Sequence, residues 1–298
     1  MEKKSVQRVT RKRLQSAAIR PSLRGEGSRA SARAAPPRAR GINRAVEIFQ
    51  LLHAVRKPIS IGEIARRLSA PRSTIYEIVN LFLDAEILEY AGAGSEVFFG
   101  RAIQLYAHDY FATHALPREG LEEVRRLAGL TGETCQLCMP IGNKYAVVAM
   151  QNSARLFRIG SDIGVLVPIP WTASGRLFVA HLTLEEVTSF IPAEDFRMQN
   201  GQVIDPERFL AEAKAAGERG VCVISGLVDD YATCIAAPVV ADPGSKCIAT
   251  ICFIVASSSG RARIQDLTRL LRESARRLSL VERNSAGIAH VDVEGRSR

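Results

Sequence analysis

Arg72, Tyr76 and Asn80 recur at four-residue steps, with Ser73, Thr74 and Glu77 beside them. On a helix this spacing stacks three long polar side chains on one face. The chemistry such a face offers is base reading. An arginine fork matches two acceptors of guanine, an asparagine amide matches adenine, and hydroxyls bond phosphate or base edges. Ile75, Ile78, Val79 and Phe82 fall on the other side as an apolar stripe, so this helix is expected to bury one face and display the other. An ordinary solvated helix in a bundle uses the same residue types, and spacing alone does not separate the two readings.

A second group is Thr172-Ala173-Ser174-Gly175. It reads as the opening of a helix whose small side chains leave first-turn N–H groups uncovered. With the helix dipole, those groups suit a carboxylate. A plain helix cap under a loop accounts for the same four residues.

The elements that must carry the first group are legible nearby. Ser60 and Glu63 have capping-box spacing, and Ile61, Ile64, Ala65 and Leu68 follow at helical steps. Ser69-Ala70-Pro71-Arg72 stops that helix and starts the next, with Pro71 suited to a first helical position. Upstream, 42–56 reads as an amphipathic helix with Ile42, Ala45, Val46, Phe49 and Leu52 on its apolar face, ended near Lys57-Pro58. Downstream, two β-prone runs, Ile87–Tyr90 and Val97–Phe99, flank a glycine-containing loop and read as a hairpin. Three helices and then a hairpin is the order of a winged helix–turn–helix.

The chain has 298 residues, 47% hydrophobic and 24% charged, which suits a globular protein of two domains. No apolar run approaches the ~20 residues of a membrane-spanning helix, so no membrane partner is expected. Residues 1–41 hold twelve Lys/Arg against Glu2 and Glu26, a local +10 that exceeds the +9 of the whole chain, so residues 42–298 are nearly neutral. That Arg-, Ser-, Ala- and Pro-rich stretch reads as a disordered basic tail. A DNA-contacting arm, an organellar transit peptide and an over-extended start site remain open for it.

The six cysteines lie mostly in β-prone runs, and reduced, buried thiols in a cytoplasmic protein are expected. Cys135-Gln136-Leu137-Cys138 has the spacing of a zinc or redox motif, but it sits on an expected strand and has no matching second pair. There is no Gly-x-Ser-x-Gly elbow and no phosphate loop, and the five histidines are scattered. No enzyme, metal or cofactor is expected.

Beyond a linker helix at 101–113 and another helix at 117–130, strands are expected at 133–141, 144–151, 155–159, 220–224, 232–241 and 246–256. Helices are expected at 173–182, 184–190, 206–219 and 262–283. The expected organisation is a tail at 1–41, a DNA-binding domain at 42–100, a linker at 101–116, an α/β domain at 117–285 and a flexible end at 286–298. The fold class is α+β, with helices packed on a curved sheet in the second domain.

Over residues 42–283 the chain resembles the IclR family of transcriptional regulators. The residues that carry the likeness are Ile42-Asn-Arg-Ala-Val46, Ile64-Ala-Arg-Arg-Leu68, Pro71-Arg-Ser-Thr-Ile-Tyr76, Thr131-Gly-Glu-Thr134, Pro168-Ile-Pro-Trp-Thr-Ala-Ser-Gly-Arg176 and Cys234-Ile-Ala-Ala-Pro238. The resemblance implies an N-terminal operator-binding winged helix, a GAF-like domain that binds a small organic acid, and assembly as dimers or tetramers. It places Arg72, Ser73, Thr74 and Tyr76 on the recognition helix. It places Thr172, Ala173, Ser174, Cys234, Cys252 and Ile254 around the effector.

Three departures from the family pattern bear on function. Cys252 and Ile254 stand where serines are common, and Ile224-Ser-Gly-Leu-Val-Asp-Asp-Tyr231 replaces an acidic run. Fewer polar groups favour an effector with a larger apolar body, such as an aromatic acid. Glu77, Glu96 and Phe98 stand at positions often basic in the family, which shifts phosphate contact toward Arg66, Arg67 or the tail. A non-sensing DNA-binding protein whose second domain only oligomerises is the remaining alternative.

Overall fold

The computed structural model describes residues 37–92, 94–152, 162–242 and 244–294. The expected strand at 155–159 and the basic segment 1–36 lie outside them. The chain divides into two compact units between His108 and Asp109.

The first unit contains α1 (Pro37–Val55), β1 (Ile59–Ser60), α2 (Ile61–Arg67), α3 (Arg72–Asp84), β2 (Leu88–Tyr90) and β3 (Glu96–Phe99). Its strands form an antiparallel sheet in the order β1-β3-β2, so the expected hairpin gains a short third strand from before α2. Ile48, Leu52, Ile64, Ile75, Val79, Leu88 and Val97 are fully buried together. Each such side chain contributes about 1.5–3 kcal/mol, and together they hold α3 with one face inward.

Four sequence expectations need correction here. Helix α1 starts at Pro37, inside the stretch read as a tail, because proline at a first helical position and the helix formers behind it extend the helix upstream. Ile42 and Val46 are exposed, and the buried stripe of α1 is Ile48 and Leu52 with Phe49 beside them. Only half of the capping box forms. The Glu63 N–H donates to Ser60 Oγ at 3.2 Å, while its carboxylate turns to Arg66 and Arg67. Pro71 stands at the N-cap, one position before the helix.

A helix α4 (Ala102–Thr113) spans the junction between the units, and Leu105, Tyr106, Tyr110 and Phe111 are exposed along it.

The second unit holds α5 (Ala115–Thr131), β4 (Thr134–Ile141), β5 (Lys144–Gln151), β6 (Leu166–Pro168), α6 (Ala173–Val179), α7 (Leu184–Phe190), α8 (Pro206–Arg219), β7 (Cys222–Ser225), β8 (Ala232–Val240), β9 (Cys247–Ala256) and α9 (Arg261–Glu294). Six antiparallel strands make one sheet in the order β6-β5-β4-β9-β8-β7. One face packs on α5 and α9 through Val124, Leu127, Ile251, Phe253, Leu267 and Leu271. The other packs on α6, α7 and α8 through Val147, Leu177, Val187, Phe209 and Ala236. The last helix continues to Glu294, past the expected end at 283, since no proline interrupts it.

Helices α5 and α9 are also tied by charge. Glu123 accepts from Arg126 at 2.8 and 2.9 Å and from Arg277 of α9. Burial pushes its pKa up, but hydrogen bonds from Arg126, Ser274 and Arg277 outweigh that and hold the carboxyl at about 2 instead of 4.5. A pKa lower in the folded than in the unfolded state adds stability that is fully present above pH 4.5 and fades as pH falls toward 2. Glu123→Gln should therefore lower the melting temperature near pH 6, and the gap to the native chain should close between pH 4.5 and 2. A pH-independent gap in thermal scans would contradict this account of Glu123.

Candidate nucleic-acid interface and candidate effector pocket

The N-terminal half of α3 is set by its apolar side. Ile75 and Val79 lie fully buried and Ile78 is half-buried, so the residues between them must face water. Arg72, Ser73, Tyr76 and Asn80 are exposed, and Thr74 is half-buried at the edge. The helix thus presents a guanidinium, a hydroxyl, a phenol and an amide within two turns, which is a donor and acceptor set for base edges.

Arg66 is exposed on the neighbouring helix, but its Nε donates to Glu63 at 3.1 Å, so its charge is partly offset before any phosphate arrives. The hydrogen bonds from Arg66 and Arg67 lower the pKa of Glu63 and keep it ionised. Phe98, weighed above as a wing residue, instead lies tilted against Phe99 and packs on the core, while Glu89 and Glu96 are exposed on the hairpin. This wing offers carboxylates rather than cations.

In the second unit Thr172 is the N-cap of α6. Its hydroxyl oxygen accepts from the Gly175 N–H at 3.2 Å and from Tyr145 Oη at 2.9 Å. Ala173 and Ser174 are buried in the first turn. The thiol of Cys234 on β8 lies beside the backbone N–H groups of Ala173 and Ser174 and beside the free thiol of Cys252 on β9, which in turn neighbours Cys138.

The strand register makes this meeting possible. Cys234 lies opposite Ile254, Ala236 opposite Cys252, and Gln136 opposite Cys252 on the other side, so Cys234, Cys252 and Ile254 share the α6 face of the sheet. The six residues expected around an effector are therefore brought to one place. The Cys252 thiol also reaches Gln136 Oε1 at 3.8 Å, and Gln136 Nε2 reaches the Met150 sulfur at 3.2 Å.

Cys234, Cys252 and Tyr145 are all held in their neutral forms. Contact with Cys252 and burial push the Cys234 thiol up, contact with Cys138 pushes Cys252 up, and burial pushes the Tyr145 phenol up. Two buried hydroxyls, Ser174 Oγ and Thr250 Oγ1, have no hydrogen-bond partner. Thr250 alternates with Cys252 and Ile254 and so faces the same side of the sheet. An orphaned buried hydroxyl costs about 1–3 kcal/mol, which marks a place where a ligand atom can supply the bond.

Sequence reading missed Tyr145, Gln136 and Thr250. They lie on strands far from the Thr172 stretch, and nothing in their local spacing differs from that of any half-buried strand.

The zinc or redox spacing is resolved by the ordinary alternation of β4, which pairs residue by residue with β9 from Thr134 to Cys138. Cys135 packs toward α5 and α9 while Cys138 packs toward α6, so the two thiols lie on opposite faces. Among the described residues no group of three or more His, Cys, Asp or Glu side chains could hold a metal ion, and no helix is long and apolar enough to cross a membrane.

A separate groove of about 560 Å³ runs between α8 and β7. None of the six residues just described lines it. Its cations are Arg176, Arg208 and Arg219, and Phe209, Ile224 and Leu227 supply apolar wall.

Two family descriptions match the sequence: the IclR helix–turn–helix domain over residues 41–92 and the bacterial transcriptional regulator IclR C-terminal domain over residues 109–280. Similar characterised proteins include the HTH-type transcriptional repressor AllR of Klebsiella pneumoniae, 23% identical over 221 residues that make up 70% of this chain and 81% of the relative. AllR of Escherichia coli K12 is 22% identical over 227 residues, 70% of this chain and 82% of that one.

Among solved structures, an IclR homologue from Microbacterium hydrocarbonoxydans, complexed with 4-hydroxybenzoate, superposes with a TM-score of 0.71 at 22% identity, covering 82% of this chain and 99% of its own. A regulator from Alicyclobacillus acidocaldarius gives 0.70 at 18% identity over 82% and 98%. At these identities the structural likeness speaks for the fold.

Proposed function

Because this chain belongs to the IclR family of bacterial transcriptional regulators, we propose that α3 reads an operator through Arg72, Ser73, Thr74, Tyr76 and Asn80, and that an aromatic carboxylic acid binds beneath α6. The protein is a ligand-responsive DNA-binding regulator and not an enzyme. The operon it controls, on this reading, encodes breakdown of the acid it senses, and it acts in the cytoplasm. The observation that carries the DNA assignment is the exposure of those polar residues opposite a fully buried Ile75 and Val79.

The effector assignment is supported by the convergence of Thr172, Ala173, Ser174, Cys234, Cys252 and Ile254, and by the two orphaned hydroxyls, Ser174 and Thr250. Among the described residues the cluster combines a few donors with Met150, Ile254 and the thiols of Cys138, Cys234 and Cys252, and no Lys or Arg belongs to it. That balance favours an acid with an apolar ring over a two- or three-carbon acid. The 4-hydroxybenzoate held by the Microbacterium homologue supports the same class.

Exposure of Ile42, Val46, Leu105, Tyr106, Tyr110 and Phe111 supports pairing of two copies through α1 and α4. Control then follows from linkage. The acid changes operator affinity only as far as it binds the DNA-competent and DNA-incompetent arrangements of the dimer unequally.

Thermal denaturation with added acids tests the effector class. A true effector at a hundredfold its Kd adds about 2.7 kcal/mol, which raises the melting temperature by roughly 5–10 °C for a domain of this size. Benzoate or 4-hydroxybenzoate should do so, while glyoxylate and pyruvate should not. A shift with the small acids alone overturns the aromatic assignment. No shift with any acid points to a second domain that serves assembly only.

A further inference from the structure

We infer that the groove between α8 and β7 is a second ligand site, built for an amphipathic organic anion whose carboxylate takes the place of Glu212 at Arg176 and Arg208. The inference goes beyond the effector assignment and uses none of its six residues.

At about 560 Å³ the groove lies within the roughly 300–1,000 Å³ range of small-molecule sites. Three arginines face two carboxylates in its lining, and one of those carboxylates is already committed. Asp205 caps α8, accepting the Arg208 N–H at 2.8 Å. The surplus is cationic, so an anion is the complementary occupant.

Arg176 is the built part of the site. Its side chain is 6% exposed, lies 5.2 Å from the Phe209 ring centroid, and donates Nε and Nη2 to Glu212 Oε2 at 3.2 and 3.0 Å. Arg208 donates Nε to the other oxygen of Glu212 at 3.1 Å. Two guanidinium groups therefore converge on one carboxylate, and that carboxylate sits on a side chain 42% exposed to water. Glu212 can swing outward and be hydrated, leaving a fork that matches a ligand carboxylate in the same two-point geometry. Phe209, Ile224 and Leu227 beside the fork supply the surface for an apolar body.

The site also touches the start of α6. Arg176 Nη1 donates to the carbonyl oxygens of Pro170 at 3.1 Å and Thr172 at 3.2 Å. The guanidinium that meets the groove ligand thus also holds the residue that caps α6.

Isothermal titration of the full chain with benzoate tests the proposal in four proteins: native, Arg208→Ala, Glu212→Gln and Thr250→Val. Arg208→Ala should weaken benzoate binding at the groove at least tenfold, and Glu212→Gln should tighten it about tenfold by removing the resident counterion. Thr250→Val removes a hydroxyl that bonds to nothing and does not line the groove, and should leave the groove component unchanged. Benzoate affinity that is unaltered by Arg208→Ala, or binding that vanishes altogether in Thr250→Val, overturns the groove site. Loss in Thr250→Val of a second component only would speak to the interior cluster and leave the groove standing. Should Glu212→Gln misfold, Arg208→Ala still decides, because that side chain is 83% exposed.

Discussion

Arg72→Ala combined with Tyr76→Ala is expected to abolish sequence-specific operator binding while leaving the fold intact. A well-placed arginine fork is worth about 1–3 kcal/mol of base discrimination. If the tyrosine contributes comparably, the pair removes roughly 2–5 kcal/mol, a loss of some thirtyfold to several thousandfold in specific affinity. Neither side chain touches the buried set of Ile48, Ile64, Ile75 and Val79, so stability should change by no more than about 0.5 kcal/mol. Residual binding to any duplex should persist and fall steeply with salt, since phosphate contacts elsewhere are untouched. Fluorescence anisotropy on the upstream intergenic DNA and on a scrambled duplex measures both. An unchanged ratio between the two affinities would mean that another surface reads the sequence.

Gly175→Ala should have the largest effect in the second unit. A Cβ at this position would lie 1.8 Å from the Ile169 carbonyl oxygen and 2.7 Å from its carbon, and neither atom belongs to a side chain that could turn away. The close approach of α6 to the 3-10 turn Ile169–Trp171 requires the absence of a side chain. Either α6 moves off the turn or the turn unravels. Both outcomes pull Thr172, Ala173 and Ser174 from Tyr145 and Cys234. Overpacking against backbone is expected to cost about 3 kcal/mol, or roughly 6–12 °C in melting temperature. It should also remove the acid-dependent thermal shift. A melting temperature within a degree of the native chain, with the ligand response retained, would show that the turn relaxes freely and that α6 does not set the pocket.

The two sites were unequally legible. The α3 face follows from period alone: once Ile75 and Val79 are buried, Arg72, Tyr76 and Asn80 have only the outside left. The same logic failed on α1, where Ile42 and Val46 fit a helical stripe yet point to water. Apolar spacing tells which residues share a face, and a helix with two apolar faces gives no sign of which one its own domain covers. Glu63 is a similar case. Its spacing from Ser60 suits a capping box, but two arginines one turn later compete for the carboxylate and win.

The interior pocket depends on contacts that sequence distance hides. That Thr172-Ala173-Ser174 opens a helix is a local fact, set by a threonine side chain that caps its own turn. That Tyr145 reaches Thr172 and that Cys234 and Cys252 meet beneath the first turn both depend on strand order and register. A one-residue slip in β9 would have offered Ile251 and Phe253 to α6 instead. The chain by itself determined the elements, the capped helix starts and the exposed polar face of α3, because these depend on neighbours within one or two turns. The tertiary structure alone decided which thiols and hydroxyls meet beneath α6 and that Arg176 and Arg208 converge on Glu212, because pairing between strands and packing between helices bring together residues that no local pattern relates.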